Sequence, residues 1–139
     1  MSYDALVERN VKVPRSAVFA AVTDFGGVKK LLPDAVTSCD CVGEGIGALR
    51  TIVLADGGRV VERLDVLHDG AVFGYSIIEN NALPVENYSA VVTLSDTSDG
   101  GTNIAWGSNW NPAGAPEDEV RSALEGLYNA LIDAIANVA

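Results

Sequence analysis

The sequence predicts an α+β domain in which a curved antiparallel sheet of seven strands folds about one long C-terminal helix, with two short helices after the first strand. Three observations predict it. Between Ala35 and Asn111 the chain reads as six successive alternating segments separated by turn signals, the pattern of an antiparallel meander. From Pro116 onward the apolar period lengthens from two residues to the roughly 3.6 of a helix. A length of 139 residues, 48 % of them hydrophobic, suits one domain with one core spanning 1–139.

The first strand lies within residues 2–12, where Ala5, Val7 and Val11 alternate with Glu8, Asn10 and Lys12. Pro14 precedes a helix over Ser16–Val22, whose Val18, Phe19 and Val22 share a face. A second short helix over Gly26–Leu32 stops at Pro33, because the residue before a proline avoids the helical region. The six further strands are Val36–Val42, Leu49–Leu54, Val60–Leu67, Val72–Ile78, Tyr88–Leu94 and Thr102–Trp110. Gly43-Glu44-Gly45-Ile46-Gly47, Asp56-Gly57-Gly58 and His68-Asp69-Gly70 mark tight turns between them. Glu79–Glu86, which carries Pro84, is a longer connection, and Asp96–Gly101 a polar turn. The final helix opens with Glu117, Asp118 and Glu119, three acids that favour the positive end of a helix dipole. Val120, Leu124, Leu127, Tyr128, Leu131 and Ile135 then recur at spacings of three and four. They form one apolar face on a helix of roughly 20 residues, about 30 Å long.

Nine Lys and Arg against nineteen Asp and Glu leave a formal net charge of −10. Such a surface repels phosphate backbones and anionic bilayers, which argues against nucleic-acid and membrane partners. No apolar run approaches the ~18 residues that would cross a bilayer. Met1–Glu8 has neither a basic start nor an apolar centre, so the sequence predicts no signal peptide and a cytoplasmic protein. Cys39 and Cys41 lie two apart and His68 is the single histidine, a set too small for a zinc site; the cysteines read as small thiols. The single histidine also argues against a Ser-His-Asp arrangement with Ser16, Ser38 or Ser89. The glycine-rich stretch at Gly43–Gly47 leads into a strand rather than a helix, so it reads as a hairpin and not as a phosphate cradle. No cofactor is expected.

Alternation assigns the inner face of the sheet. Arg50 goes with Ile52 and Leu54, and Glu62 with Val60, Leu64 and Val66, while Arg59, Arg63 and Asp65 face water. Phe73, Tyr75 and Ile77 form the next inward set, then Tyr88, Ala90, Val92 and Leu94, then Ile104, Trp106, Ser108 and Trp110. An ionised Glu62 among apolar neighbours is costly without a partner. With Leu124, Leu127, Tyr128 and Leu131 from the helix, the inner surface is apolar with sparse polar groups, the composition of a small-molecule pocket.

Four blocks carry a resemblance: Ile46-Gly47-Ala48-Leu49-Arg50, Glu62-Arg63-Leu64-Asp65, Tyr75-Ser76-Ile77-Ile78 and Asn87-Tyr88. In order and spacing they resemble the START/Bet v 1-like (SRPBCC) superfamily, in particular the bacterial polyketide cyclase/dehydrase-like group and the plant abscisic-acid receptors. The resemblance implies the helix-grip fold with a hydrophobic ligand cavity between sheet and helix. It implies cavity-facing roles for Arg50, Glu62, Tyr75, Tyr88, Leu127 and Leu131, and sets Thr37 near the receptors' ligand-pairing lysine. The receptors' gate and latch are replaced by Leu54-Ala55-Asp56-Gly57-Gly58 and Leu83-Pro84-Val85, so abscisic-acid recognition is not implied.

Two functions from different classes follow. One is a carrier of an apolar small molecule (a lipid, isoprenoid or polyketide-like compound), acting as a monomer or homodimer. The other is a metal-free cyclase, aromatase or dehydratase in which Arg50 and a tyrosine polarise a carbonyl and Glu62 moves a proton, Arg50, Glu62 and Tyr88 being the catalytic candidates. The reading favoured over catalysis is that Arg50 and Glu62 satisfy one another as a structural pair inside the sheet or orient a ligand's polar end.

Overall fold

A computed structural model describes residues 2–138; Met1 and Ala139, the ends of the expected 1–139 domain, lie outside the described residues. The chain runs β1 (Ala5–Val11), α1 (Arg15–Thr23), a 3₁₀ turn (Phe25–Gly27), α2 (Val28–Leu31), β2 (Val36–Val42), β3 (Leu49–Leu54), β4 (Arg59–His68), β5 (Val72–Asn80), β6 (Val85–Asp96), β7 (Thr102–Pro112) and α3 (Glu117–Val138). All seven strands form one antiparallel sheet in the order β1-β7-β6-β5-β4-β3-β2. The meander from β2 to β7 is continuous, and β1 closes onto β7. The sheet and terminal helix are those the alternation predicts.

Two boundaries differ from the sequence reading. The segment from Glu79 to Glu86 is a tight connection rather than a long one, because β5 runs on to Asn80 and β6 begins at Val85. The Asn80 side chain closes it: Oδ1 accepts from the Ala82 and Leu83 amides at 2.8 Å, and Nδ2 donates to the Leu83 carbonyl at 2.7 Å. The second helix is split, a 3₁₀ turn at Phe25–Gly27 preceding a single α turn.

Helix α3 lays one stripe along the sheet's inner face. Val120, Leu124, Tyr128, Leu131, Ile132 and Ile135 are buried, at the spacing of a helical face. Its polar side is tied to β1, since Arg121 Nε donates to the Asp4 carbonyl at 2.8 Å and Arg9 reaches Asp133 at 2.7 Å. At the far end of the sheet α1 and α2 complete the enclosure, with Val18, Val22, Phe25 and Val28 in the core.

Bulges decide which side chains face inward. On β4 the pairing steps from Leu64↔Tyr75 to Val66↔Gly74, leaving Asp65 as the extra residue. Val66 is therefore turned out, 39 % exposed, and Leu67 packs on the core in its place, which corrects the inward position expected for Val66. On β6 the register shifts between Glu86 and Ser89, and Asn87 adopts φ 54°, a left-handed conformation that asparagine tolerates. That extra residue lets Val85 and Tyr88 both point inward.

Candidate functional site

Between the sheet and helices α1–α3 the side chains leave a cavity of about 420 Å³. Its walls come from Ile52, Val60, Phe73 and Trp106 on the sheet, Leu127 and Leu131 on α3, and Val22, Val28, Leu31 and Leu32 on α1 and α2. Asp24, Ala35, Val36, Leu54, Ala55, Asp56 and Leu83 complete the lining, the two aspartates and two alanines being exposed residues that mark its mouth. The polar groups deep inside are Arg50, Glu62, Tyr75 and Tyr88.

Arg50 and Glu62 are cross-strand partners on β3 and β4, so the ladder holds their side chains side by side on the inner face. Both are buried, each with 7 % of its surface exposed. Arg50 Nε and Nη2 approach Glu62 Oε1 at 2.7 and 2.6 Å. Arg50 Nη1 donates to the Phe25 carbonyl at 3.2 Å, and the guanidinium lies 4.1 Å from the Phe25 ring centroid and 5.3 Å from that of Tyr75. The cation thus exchanges water for a carboxylate, a carbonyl and two aromatic faces. Both ion-pair bonds fall on one carboxylate oxygen, and Glu62 Oε2 accepts no hydrogen bond among the described residues.

A chain of hydroxyls runs beside this pair. Tyr75 Oη accepts from Trp106 Nε1 at 3.2 Å and meets Tyr88 Oη at 3.4 Å. Tyr88 is hydrogen-bonded to Tyr128, whose hydroxyl donates to Ser108 Oγ at 2.7 Å. Burial pushes all three phenols up, Tyr128 to about 12 and Tyr75 and Tyr88 well above their ordinary value, so the chain is neutral across the physiological range. Burial also pushes the Cys39 thiol up, which favours its protonated form.

Of the side chains named from the sequence, Arg50, Ile52, Leu54, Val60, Glu62, Tyr75, Tyr88, Trp106, Leu127 and Leu131 line the cavity. Five do not. Thr37 is exposed, because the register slip between Val36 and Ser38 makes it the bulged residue of β2. Ile77 lies on β5 beyond Tyr75, beside the shift opposite Val61 and Glu62, where it packs on the core. Ala90 is too short to reach the opening between Tyr75 and Ser108. Leu124 lies one helical turn before Leu127 and packs in the solid core. Tyr128 stacks on Trp106 at 5.6 Å between centroids and touches the site through its hydroxyl rather than as wall.

The sequence reading missed the wall built by Val22, Val28, Leu31 and Leu32, and the rim at Asp24, Ala35, Ala55, Asp56 and Leu83. The apolar run around α1 and α2 was the available signal, but nothing in its spacing says that it caps a void rather than a core.

The fold is shared with solved structures. XoxI from Bacillus cereus superposes with a TM-score of 0.79 at 21 % identity, over 96 % of this chain and 94 % of that one. Ara h 8.0201 gives 0.80 at 24 % identity, covering 95 % and 93 %. A Nitrosospira multiformis protein gives 0.76 at 21 % identity, covering 96 % and 93 %. The architecture they share is the helix-grip fold, a curved seven-stranded antiparallel sheet about a long C-terminal helix. Residues 5–139 match the family described as polyketide cyclase / dehydrase and lipid transport, and the chain belongs to that family. No curated protein matches the sequence.

Proposed function

We propose that this protein binds an apolar small molecule in the cavity between its sheet and its C-terminal helix, with the polar end of the ligand against Arg50, Glu62, Tyr75 and Tyr88. The cavity itself carries the reading. About 420 Å³ of space lies between the buried side chains of the sheet and the helices, and it falls within the range of small-molecule sites. Apolar side chains that stand this far apart leave packing contacts for a ligand to make. The family description, which includes lipid transport, points the same way. No helix among the described residues is long and apolar enough to cross a membrane.

Native mass spectrometry of protein purified without denaturation from its source cells tests this. The expected result is an adduct of small-molecule mass that is lost on denaturation. Protein that carries no adduct and takes up no Nile red would exclude a binding role.

The ion pair and the tyrosines support a second reading, a cofactor-independent cyclase or dehydratase. Glu62 Oε2 is open as a base, and neutral phenols stand beside it as donors to a carbonyl. Glu62→Gln and Arg50→Met then abolish turnover on the correct substrate, whereas a carrier shows only altered affinity.

A further inference from the structure

The charges around the cavity set the kind of polar end it accepts. Arg50 is the one cation among its lining residues, and its charge is matched by Glu62 at 2.6 Å. The other ionisable carboxylates of the lining are Asp24 and Asp56 at the mouth, Lys30 reaching Asp24 from outside at 3.5 Å. Depth and rim together leave no cation free for a ligand anion among the described residues. A carboxylate entering this site passes two aspartates and then finds the buried cation of the lining already paired, so its lost hydration goes uncompensated. An ammonium is drawn to the aspartates at the mouth, but deeper in it sheds its hydration beside a glutamate already neutralised by Arg50, and it has no lone pair with which to accept from Arg50 or the tyrosines.

The hydrogen-bonding groups are complementary to something neutral. Glu62 Oε2 has no donor, yet the buried polar side-chain atom without a partner among the described residues is Trp110 Nε1. The Oε2 atom is therefore not sealed in protein and borders the open volume. Arg50 uses three of its five N–H groups, on Glu62 and on the Phe25 carbonyl, and keeps two for an acceptor. The smallest neutral group that both donates to Glu62 and accepts from Arg50 or from a tyrosine hydroxyl is a hydroxyl.

The geometry points to a neutral, hydroxyl-bearing apolar ligand — an alcohol or phenol — as the molecule this cavity selects, its hydroxyl donating to Glu62 and accepting from Arg50 or the Tyr75–Tyr88 pair. This rests on the binding role proposed above and narrows it.

A matched set with one skeleton tests it: decanol, decyl methyl ether, decylamine and decanoate, each displacing Nile red from the native protein at pH 7. The expected order places decanol first, displacing at about tenfold lower concentration than decanoate or decylamine. The ether, which cannot donate, falls between. Glu62→Gln leaves Arg50 without its counter-charge and shifts the preference toward decanoate; the native panel decides alone if that variant does not fold. Decanoate or decylamine equalling decanol in the native protein would overturn the selectivity while leaving the cavity a binding site. Failure of Nile red to bind, or of every probe to displace it, would overturn both.

Discussion

Setting Arg50 against Glu62 inside the sheet removes two charges from water, and their attraction must offset that desolvation. Such pairs are costly to break singly and cheap to replace together. Glu62→Leu alone strands the guanidinium and Arg50→Met alone strands the carboxylate, so each is expected to lower the unfolding free energy by about 3–5 kcal/mol. The double variant Arg50→Met/Glu62→Leu is expected to lie closer to the native value than either. Urea unfolding at pH 7 measures all three, and additive losses in the double variant would mean the two residues do not act as a pair.

The tyrosines make a separate prediction, in pH. Tyr128 titrates near 10.0 when unfolded and is pushed up to about 12 in the fold by burial. Tyr75 and Tyr88 are pushed up by the same cause. A raised folded value means the native state holds its proton more tightly. That stabilisation is complete below about pH 10 and is lost as the pH climbs toward the folded value, at about 1.4 kcal/mol per unit for each phenol. Stability measured from pH 8 to 11 is expected to fall steeply above 10. Tyr128→Phe is expected to lose about 1–3 kcal/mol at pH 7, because Tyr88 and Ser108 lose a partner, and to show a shallower alkaline decline. An unchanged slope in that variant would remove Tyr128 from the titrating set.

At the scale of elements, α3 is where solid core and cavity wall meet. Ile132 is fully buried and absent from the cavity lining, whereas its neighbour Leu131 borders the open space. Ile132→Ala opens a new void in packed surroundings and is expected to cost about 3–5 kcal/mol; Leu131→Ala enlarges a space already present and costs less. Comparing the two by urea unfolding, and Nile red capacity in Leu131→Ala, checks the assignment. The amphipathic stripe of α3 was legible in the sequence because its period of three and four needs nothing from the rest of the chain. Alternation likewise placed Arg50 and Glu62 correctly, since β3 and β4 pair without interruption between Leu49↔Arg63 and Val53↔Arg59. It failed at Val66, because the extra residue Asp65 reverses the face of every side chain beyond it, and the position that the resemblance implied for Thr37 falls on another extra residue. Neither residue type announces a bulge. The cavity itself was legible only as a composition: whether apolar side chains meet or stand apart depends on the curvature of the sheet and the reach of α1 and α2, which no local pattern encodes.

For the whole molecule the governing quantity is the net charge of −10. Ion pairs offset little of it. Arg9–Asp133, Arg15–Asp96, Arg59–Glu79 and Arg121–Asp118 are all at least partly exposed, where each contributes about 0–1 kcal/mol. The remaining acids repel one another over distances that salt controls. Raising sodium chloride from about 10 to about 150 mM shortens the screening length from about 30 to about 8 Å, which weakens this repulsion more than it weakens contacts at about 3 Å. The melting temperature is therefore expected to rise with salt, by about 3–5 °C for a gain of about 1 kcal/mol in a chain of this length. Scanning calorimetry across that range measures it, and a melting temperature that falls with salt would show that the surface pairs outweigh the repulsion. The buried Arg50–Glu62 pair lies outside this balance, because protein rather than electrolyte surrounds it. Salt should accordingly move stability while leaving the preference among neutral ligands unchanged, so the acidic surface and the polar end of the cavity can be varied independently.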